Sequence, residues 1–180
     1  AGELGWELHM PSWQVISIYE SLFEMGSPLG LKDFGGQAFN SMRLEKMYRA
    51  YGAEFTEEIS ALEAGMERFL DLNRDFIGAD NIRERMSSGI KTKLAYLIFD
   101  DQIPAECFGN EAVFSDGELT GIITSGAYGH RVGHSIAFAY LKTEHCNDGA
   151  SLTVETSLGS RSCHVSMNAS YDQNNEKLCS

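Results

Sequence analysis

The hydrophobic period of the chain changes near Gly89, and that change limits the folds open to it. Before this point apolar residues recur at helical spacing, and after it come short apolar runs of strand length with no helical pattern between them. Residues 94–99 (LAYLIF) form the first run. Residues 112–115 and 118–124 flank Asp116-Gly117, a dipeptide suited to a two-residue hairpin turn. Residues 135–141, 151–156 and 162–166 complete a set of six strands. Short strands in direct succession predict a small antiparallel barrel, and a helix of more than two turns between 119 and 141 would contradict it.

The first half reads differently. Pro11 and Ser12 open a helix over 12–25, with Ser12 as its N-cap. Val15, Ile18, Leu22 and Met25 recur at helical spacing, Ile16, Tyr19 and Phe23 widen the stripe, and Gly26 stands where a helix stops. Core packing is the expected use of such a stripe. Gly35 and Gly36 precede a second helix over 37–47, with Phe39, Met42 and Met47 available for burial. A third helix covers 80–86, where Ile82 and Met86 lie one turn apart, and residues 51–70 are of mixed character. Residues 1–8 (AGELGWEL) read as a strand entered midway. The predicted class is α+β: an α/β segment over 1–89, then an antiparallel β-barrel over 90–180.

Charge removes some function classes. Against 14 basic side chains stand 26 acidic ones, a net charge of −12. Nucleic acid and anionic membrane surfaces both demand a basic footprint that this chain lacks. No apolar stretch is long enough to cross a bilayer, and no basic-then-apolar leader opens the sequence. Cys107, Cys146, Cys163 and Cys179 form no CxxC pair, and His145-Cys146 has no second ligand at zinc-site spacing. The expectation is four reduced thiols, no metal, and a cytoplasmic setting, or the mitochondrial matrix in a eukaryote. On that route the sequon Asn168-Ala169-Ser170 has no meaning.

Taken singly, the polar residues suggest little chemistry. Glu3 and Glu7 lie four apart in the predicted strand and would share a face. A buried carboxylate there needs a partner or a donor-rich ligand such as a pterin; the alternative is a pair of solvated edge residues. Residues 124–129 (TSGAYG) lack the spacing and the lysine of a phosphate loop, and His130 and His134 read as loop packing rather than metal ligands. No GxSxG elbow is present, and no cysteine carries a nucleophile signature.

Several longer stretches resemble, in order, the folate-dependent aminomethyltransferases and the related dimethylglycine and sarcosine dehydrogenases. They are residues 2–8 (GELGWEL), 30–46 (GLKDFGGQAFNSMRLEK), 48–63 (YRAYGAEFTEEISALE), 75–78 (DFIG) and 124–141 (TSGAYGHRVGHSIAFAYL). The match is nearer the dehydrogenase branch, because Phe39-Asn40-Ser41-Met42 stands where glycine-cleavage proteins have arginine-aspartate-serine-leucine. The resemblance implies tetrahydrofolate as cofactor, one-carbon transfer from a methylated amine as activity, and a fold whose C-terminal part is a barrel. It places Glu7 on the pterin-binding glutamate, and Tyr171-Asp172 on a terminal tyrosine-aspartate-proline segment in which Gln173 replaces the proline. Arg43 and Glu45 fall on its RLE motif and are expected to form a structural ion pair.

The family's catalytic aspartate, a tyrosine preceding the glutamate, and the dehydrogenases' FAD domain all fall upstream of Ala1. No catalytic residue is therefore assigned. The chain is expected to be a C-terminal fragment that binds folate weakly alone and self-associates through the face its missing half would cover. Two alternatives stay open: a folate-dependent demethylase of another methyl donor, such as a sulfonium, or a non-catalytic subunit that keeps the fold. One expectation is directly measurable. Thiol titration in denaturant without reductant should count four free cysteines, and two disulfides or stoichiometric zinc would refute it.

Overall fold

Six antiparallel strands close on themselves in the second half of the chain. They are β1 (Thr92–Phe99), β2 (Ala112–Ser115), β3 (Glu118–Gly129), β4 (His134–Lys142), β5 (Ser151–Thr156) and β6 (Gly159–Ser166), in the order β1-β4-β3-β2-β5-β6 with β6 returning to β1. The structure, a computed structural model, describes residues 1–104 and 107–179. Asp116 and Gly117 turn the β2–β3 hairpin with φ of 49° and 83°, the doubly left-handed backbone that matches the twist of paired strands.

Two cores follow from the period-two alternation of strands. Ala95, Leu97 and Phe99 of β1 and Ala137, Ala139 and Leu141 of β4 point into the barrel, where Val113, Ile123, Leu152, Val154, Cys163 and Val165 meet them. The alanines suit the narrow interior of a small barrel. The intervening residues of the same two strands, Leu94 and Tyr96 of β1 with Ile136 and Phe138 of β4, face outward and are also buried, against Leu44. Strands buried on both faces read as continuous apolar runs, which is why LAYLIF and SIAFAYL show no alternation.

Leu44 belongs to α2 (Gly36–Glu45), which lies along β3. The amide of Asn40 donates to the Gly126 carbonyl at 3.0 Å, and the Ser41 hydroxyl to the Tyr128 carbonyl at 2.7 Å. The helix buries Ser41, Arg43, Leu44 and Glu45, whereas the predicted Phe39 is exposed and Met42 and Met47 are half-buried. Its inward face joins the apolar Leu44 to polar side chains, of which Asn40 and Ser41 meet the strand carbonyls.

Arg43 does not pair with Glu45, as its motif had suggested. It donates to Glu54 at 2.8 Å, to the Tyr48 carbonyl at 3.0 Å and to Asn40 at 2.9 Å. Glu54 is fully buried, and it also accepts the Ala50 amide at 2.8 Å and the hydroxyls of Thr124 and Ser125. Consecutive strand residues normally point to opposite faces. The register shift between Ile123 and Ser125 is a bulge that lets both hydroxyls reach one carboxylate. Residues 125–129, beyond the end of the predicted strand 118–124, are the continuation of β3.

Two further expectations are corrected. Residues 1–8 form no strand, and their backbone is tied to the rest through the Leu4 amide, which donates to the Lys177 carbonyl at 3.3 Å. A single strand without a neighbour leaves its ladder unpaired. The first helix begins with a 3-10 turn, Ser12–Gln14, and continues as α1 (Val15–Gly26), so Ser12 lies inside the turn and makes no cap bond. None of the α1 stripe is buried, since among the described residues its principal neighbours are its own flanking turns. The third helix, α3 (Ala79–Ser88), forms where expected, with Ile82 half-buried and Met86 exposed.

Removing one partner of a buried ion pair strands the other charge, at a cost of roughly 3–5 kcal/mol. Glu54→Ala should therefore lower stability by about that amount in urea denaturation, and Arg43→Met in the same chain should restore part of it. A Glu54→Ala loss below about 1 kcal/mol would show that the pair is not what fixes α2 to the barrel.

Candidate functional site

The C-terminal end of α2 is the point on which three distant stretches of chain converge. Glu45 is buried, and its carboxylate accepts the backbone amides of Arg131 at 2.6 Å and Val132 at 3.3 Å, capping the β3–β4 turn. Gly129 precedes that turn because a Cβ there would lie 3.1 Å from the Glu45 carboxylate and 2.6 Å from Val132. The carbonyl of Glu45 accepts the Tyr171 amide at 3.0 Å, which brings in the C-terminal segment. Lys46 secures the same segment: its ammonium donates to the Asp172 carbonyl at 2.7 Å, the Asp172 carboxylate at 3.0 Å and Asn175 at 2.7 Å.

The N-terminal segment is fastened to this frame by Tyr171. Its hydroxyl donates to Glu3 at 2.7 Å and accepts from the Arg131 guanidinium at 2.7 Å, while that guanidinium sits 4.6 Å from the Tyr171 ring centroid. Hydrogen bonding to the Glu3 carboxylate pushes the Tyr171 phenol above its ordinary range. Gly2 lies so close to Lys46 that a Cβ would meet its side chain at 2.2 Å. A concavity of about 350 Å³ lies between α2 and the turn, lined by Ala38, Ser41, Met42, Glu45, His130 and Arg131.

The two residues singled out from sequence are placed unequally. Tyr171 is at the centre of the junction. Glu7 stands apart from it with 89% of its side chain exposed and the His9 imidazole at 3.4 Å. Of the pair expected to share a face, Glu3 makes the contacts. Sequence reasoning missed Arg131, although it lies within the quoted stretch GHRVGH, because the histidines beside it drew the attention. A larger cavity of about 670 Å³ opens on the opposite side of α2, between Asn40 and Arg43 and the rim residues Phe108 and Gly109, and no sequence signal pointed to it. Among the described residues no cluster of histidine, cysteine, aspartate and glutamate could hold a metal ion, and all four cysteines are free. Among the described residues no helix is long and apolar enough to cross a membrane.

Two family models match the chain: the GCVT N-terminal domain over residues 1–74 and the glycine cleavage T-protein C-terminal barrel domain over residues 93–172. The chain belongs to the glycine cleavage T-protein family. It is 38% identical over 157 residues to mitochondrial dimethylglycine dehydrogenase of Mus musculus, covering 86% of this chain and 18% of that protein. To mitochondrial sarcosine dehydrogenase of the same species it is 31% identical, covering 78% of this chain and 15% of the relative. To aminomethyltransferase of Thermoanaerobacter pseudethanolicus it is 30% identical, covering 85% and 41%. The chain thus spans less than half the length of each of these family members. The fold is that of the glycine cleavage system aminomethyltransferase T from Bartonella henselae, with a TM-score of 0.81 at 19% identity over 91% of this chain and 45% of that one.

Asp172 gives the junction a pH dependence. Burial pushes its carboxyl up, but the Lys46 ammonium and the amides of Glu176 and Lys177 reverse that and hold it below the ordinary 3.8. A depressed carboxyl contributes stability that is complete above the unfolded value and is lost as pH falls through the folded one. Asp172→Asn should therefore flatten the decline of stability with acid below the ordinary 3.8, as read by urea midpoints against pH. An unchanged acid limb would show that the contact with Lys46 contributes nothing.

Proposed function

We propose that the chain forms part of a tetrahydrofolate-dependent enzyme of one-carbon transfer, acting on a methylated amine donor. The carrying observation is the junction of Glu3, Tyr171 and Arg131, which fastens the GELGWEL segment to the C-terminal segment and leaves Glu7 free. A carboxylate is an acceptor-only group, and the adjacent N–H groups of a pterin ring are donors of matching spacing. Glu7, whose ion-pair-distance neighbour among the described residues is the His9 imidazole at 3.4 Å, fits that partner. The Tyr171 hydroxyl is already used on both sides, so its contribution is its ring and the placement of the segment that carries Glu7.

Tetrahydrofolate supplies the amine that accepts the one-carbon unit. The residues described here hold and orient it, and orientation next to the donor is itself a large part of the rate. On this reading residues 1–89 complete the folate-binding domain, residues 90–180 form its barrel, and the aspartate that handles protons lies outside both. Any flavin oxidation of the donor belongs to a separate domain, and the compartment is the cytoplasm, or the mitochondrial matrix in a eukaryote.

In the full-length protein Glu7→Gln should weaken tetrahydrofolate binding by about tenfold to a hundredfold, since a hydrogen bond to a charged group is worth roughly 1.5–3 kcal/mol. Calorimetric titration measures this directly, and thermal stability should hardly move because Glu7 is exposed. Equal affinity in the two proteins would make Glu7 an ordinary solvated carboxylate.

A further inference from the structure

A third concavity, a cleft of about 350 Å³, lies between residues 46–49, Gly65 and Arg68 on one side and residues 167–175 on the other. Its charged lining residues are Lys46, Arg49, Arg68 and Asp172, so three cations face one carboxylate, a local charge of 3 − 1 = +2 in a chain of net charge −12. Lys46 and Asp172 neutralise each other at 3.0 Å. The excess rests on Arg49 and Arg68, and among the described residues neither has a carboxylate within ion-pair distance.

The two guanidiniums are held with donors to spare. Arg49 donates from Nε to the Ala64 carbonyl at 2.8 Å and from one terminal nitrogen to the Met47 carbonyl at 3.4 Å. Its other terminal nitrogen is left with no acceptor among the described residues. Its plane is steadied by the Phe138 ring at 5.8 Å, while Arg68 sits over the Phe69 ring at 4.6 Å. The nearby acids are already engaged, Glu67 with Lys93 at 2.9 Å and Glu63 with Arg85 at 2.9 Å. Burial first, and then the field of the exposed Arg68, lower the pKa of Arg49, and Tyr140, Glu54 and Glu67 offset this only in part. Such an arrangement costs energy unless an anion is shared between the two forks.

We propose that this cleft binds an oxyanion, the carboxylate or phosphate group of a small molecule, between Arg49 and Arg68. The amides of Asn168 and Asn175 line the same cleft and supply neutral donors at its edge. The site is independent of the pterin reading, because it shares neither Glu7 nor Tyr171 with it.

The test is a nitrogen-15 NMR titration of the protein with inorganic phosphate and, separately, with glutarate, at ionic strength fixed with chloride. Saturable shifts around residues 46–49, 65–68 and 168–175 are expected. Arg68→Gln, on an exposed side chain, should weaken binding by about tenfold or more through loss of a charge-assisted fork. Arg49→Lys keeps the charge and loses the fork, so it should weaken binding as well. Tighter phosphate than glutarate identifies a phosphoryl ligand, and the reverse identifies a carboxylate. Shifts that stay linear, or saturable binding that Arg68→Gln leaves unchanged, would overturn the proposal.

Discussion

Arg43 and Glu54 meet out of water, and the arrangement of the first half of the chain on the barrel depends on how fully that meeting is satisfied. Removing two charges from solvent costs several kcal/mol per ion and is repaid only if the remaining lone pairs find donors. Here they do, and the donors come from separate places: the α2 guanidinium, the amide of Ala50, and two neighbouring hydroxyls on β3. A carboxylate that accepts from helix, turn and strand together fixes their relative position. The end of α2 is fixed with them, and from that end Glu45 and Lys46 organise the β3–β4 turn and the C-terminal segment.

The barrel was legible because each strand carries its own signal. Paired apolar runs, a turn dipeptide with left-handed backbone and even spacing are local facts, and all six strands form where those facts put them. The misreadings of α1 and of residues 1–8 share one cause. Periodicity reports that a face is apolar, not that anything covers it, so the α1 stripe was read as core although none of it is buried. The GELGWEL segment was read as a strand although no neighbour completes a ladder with it. The third strand was expected to stop at Thr124, whereas β3 runs on to Gly129, and Gly126 and Gly129 mark where the loop at Cys107 and α2 approach it closely.

Family likeness alone singled out Tyr171, and nothing in the sequence pointed to its contacts. Tyr171 contacts Glu3 across 168 positions of sequence, and Lys46 reaches Asp172 across 126, and no spacing rule spans such distances. One error could have been avoided from helix geometry alone. Residues two apart on a helix do not face each other, so Arg43 and Glu45 could not have been partners, and each was bound to look elsewhere.

Because β1 and β4 are apolar on both faces, the barrel is finished only by what lies outside it. Leu94, Tyr96, Ile136 and Phe138 form a stripe on its outer wall that Leu44 covers from the other side of the Gly89 boundary. A gene rearrangement that cut the chain between α3 and β1 would carry away a barrel with an adhesive flank. The two segments are therefore poor candidates for separate inheritance, whatever their difference in architecture. Lineages that reshuffle domains should move this pair as one cassette, with changes at Leu44 and Phe138 tolerated chiefly in step.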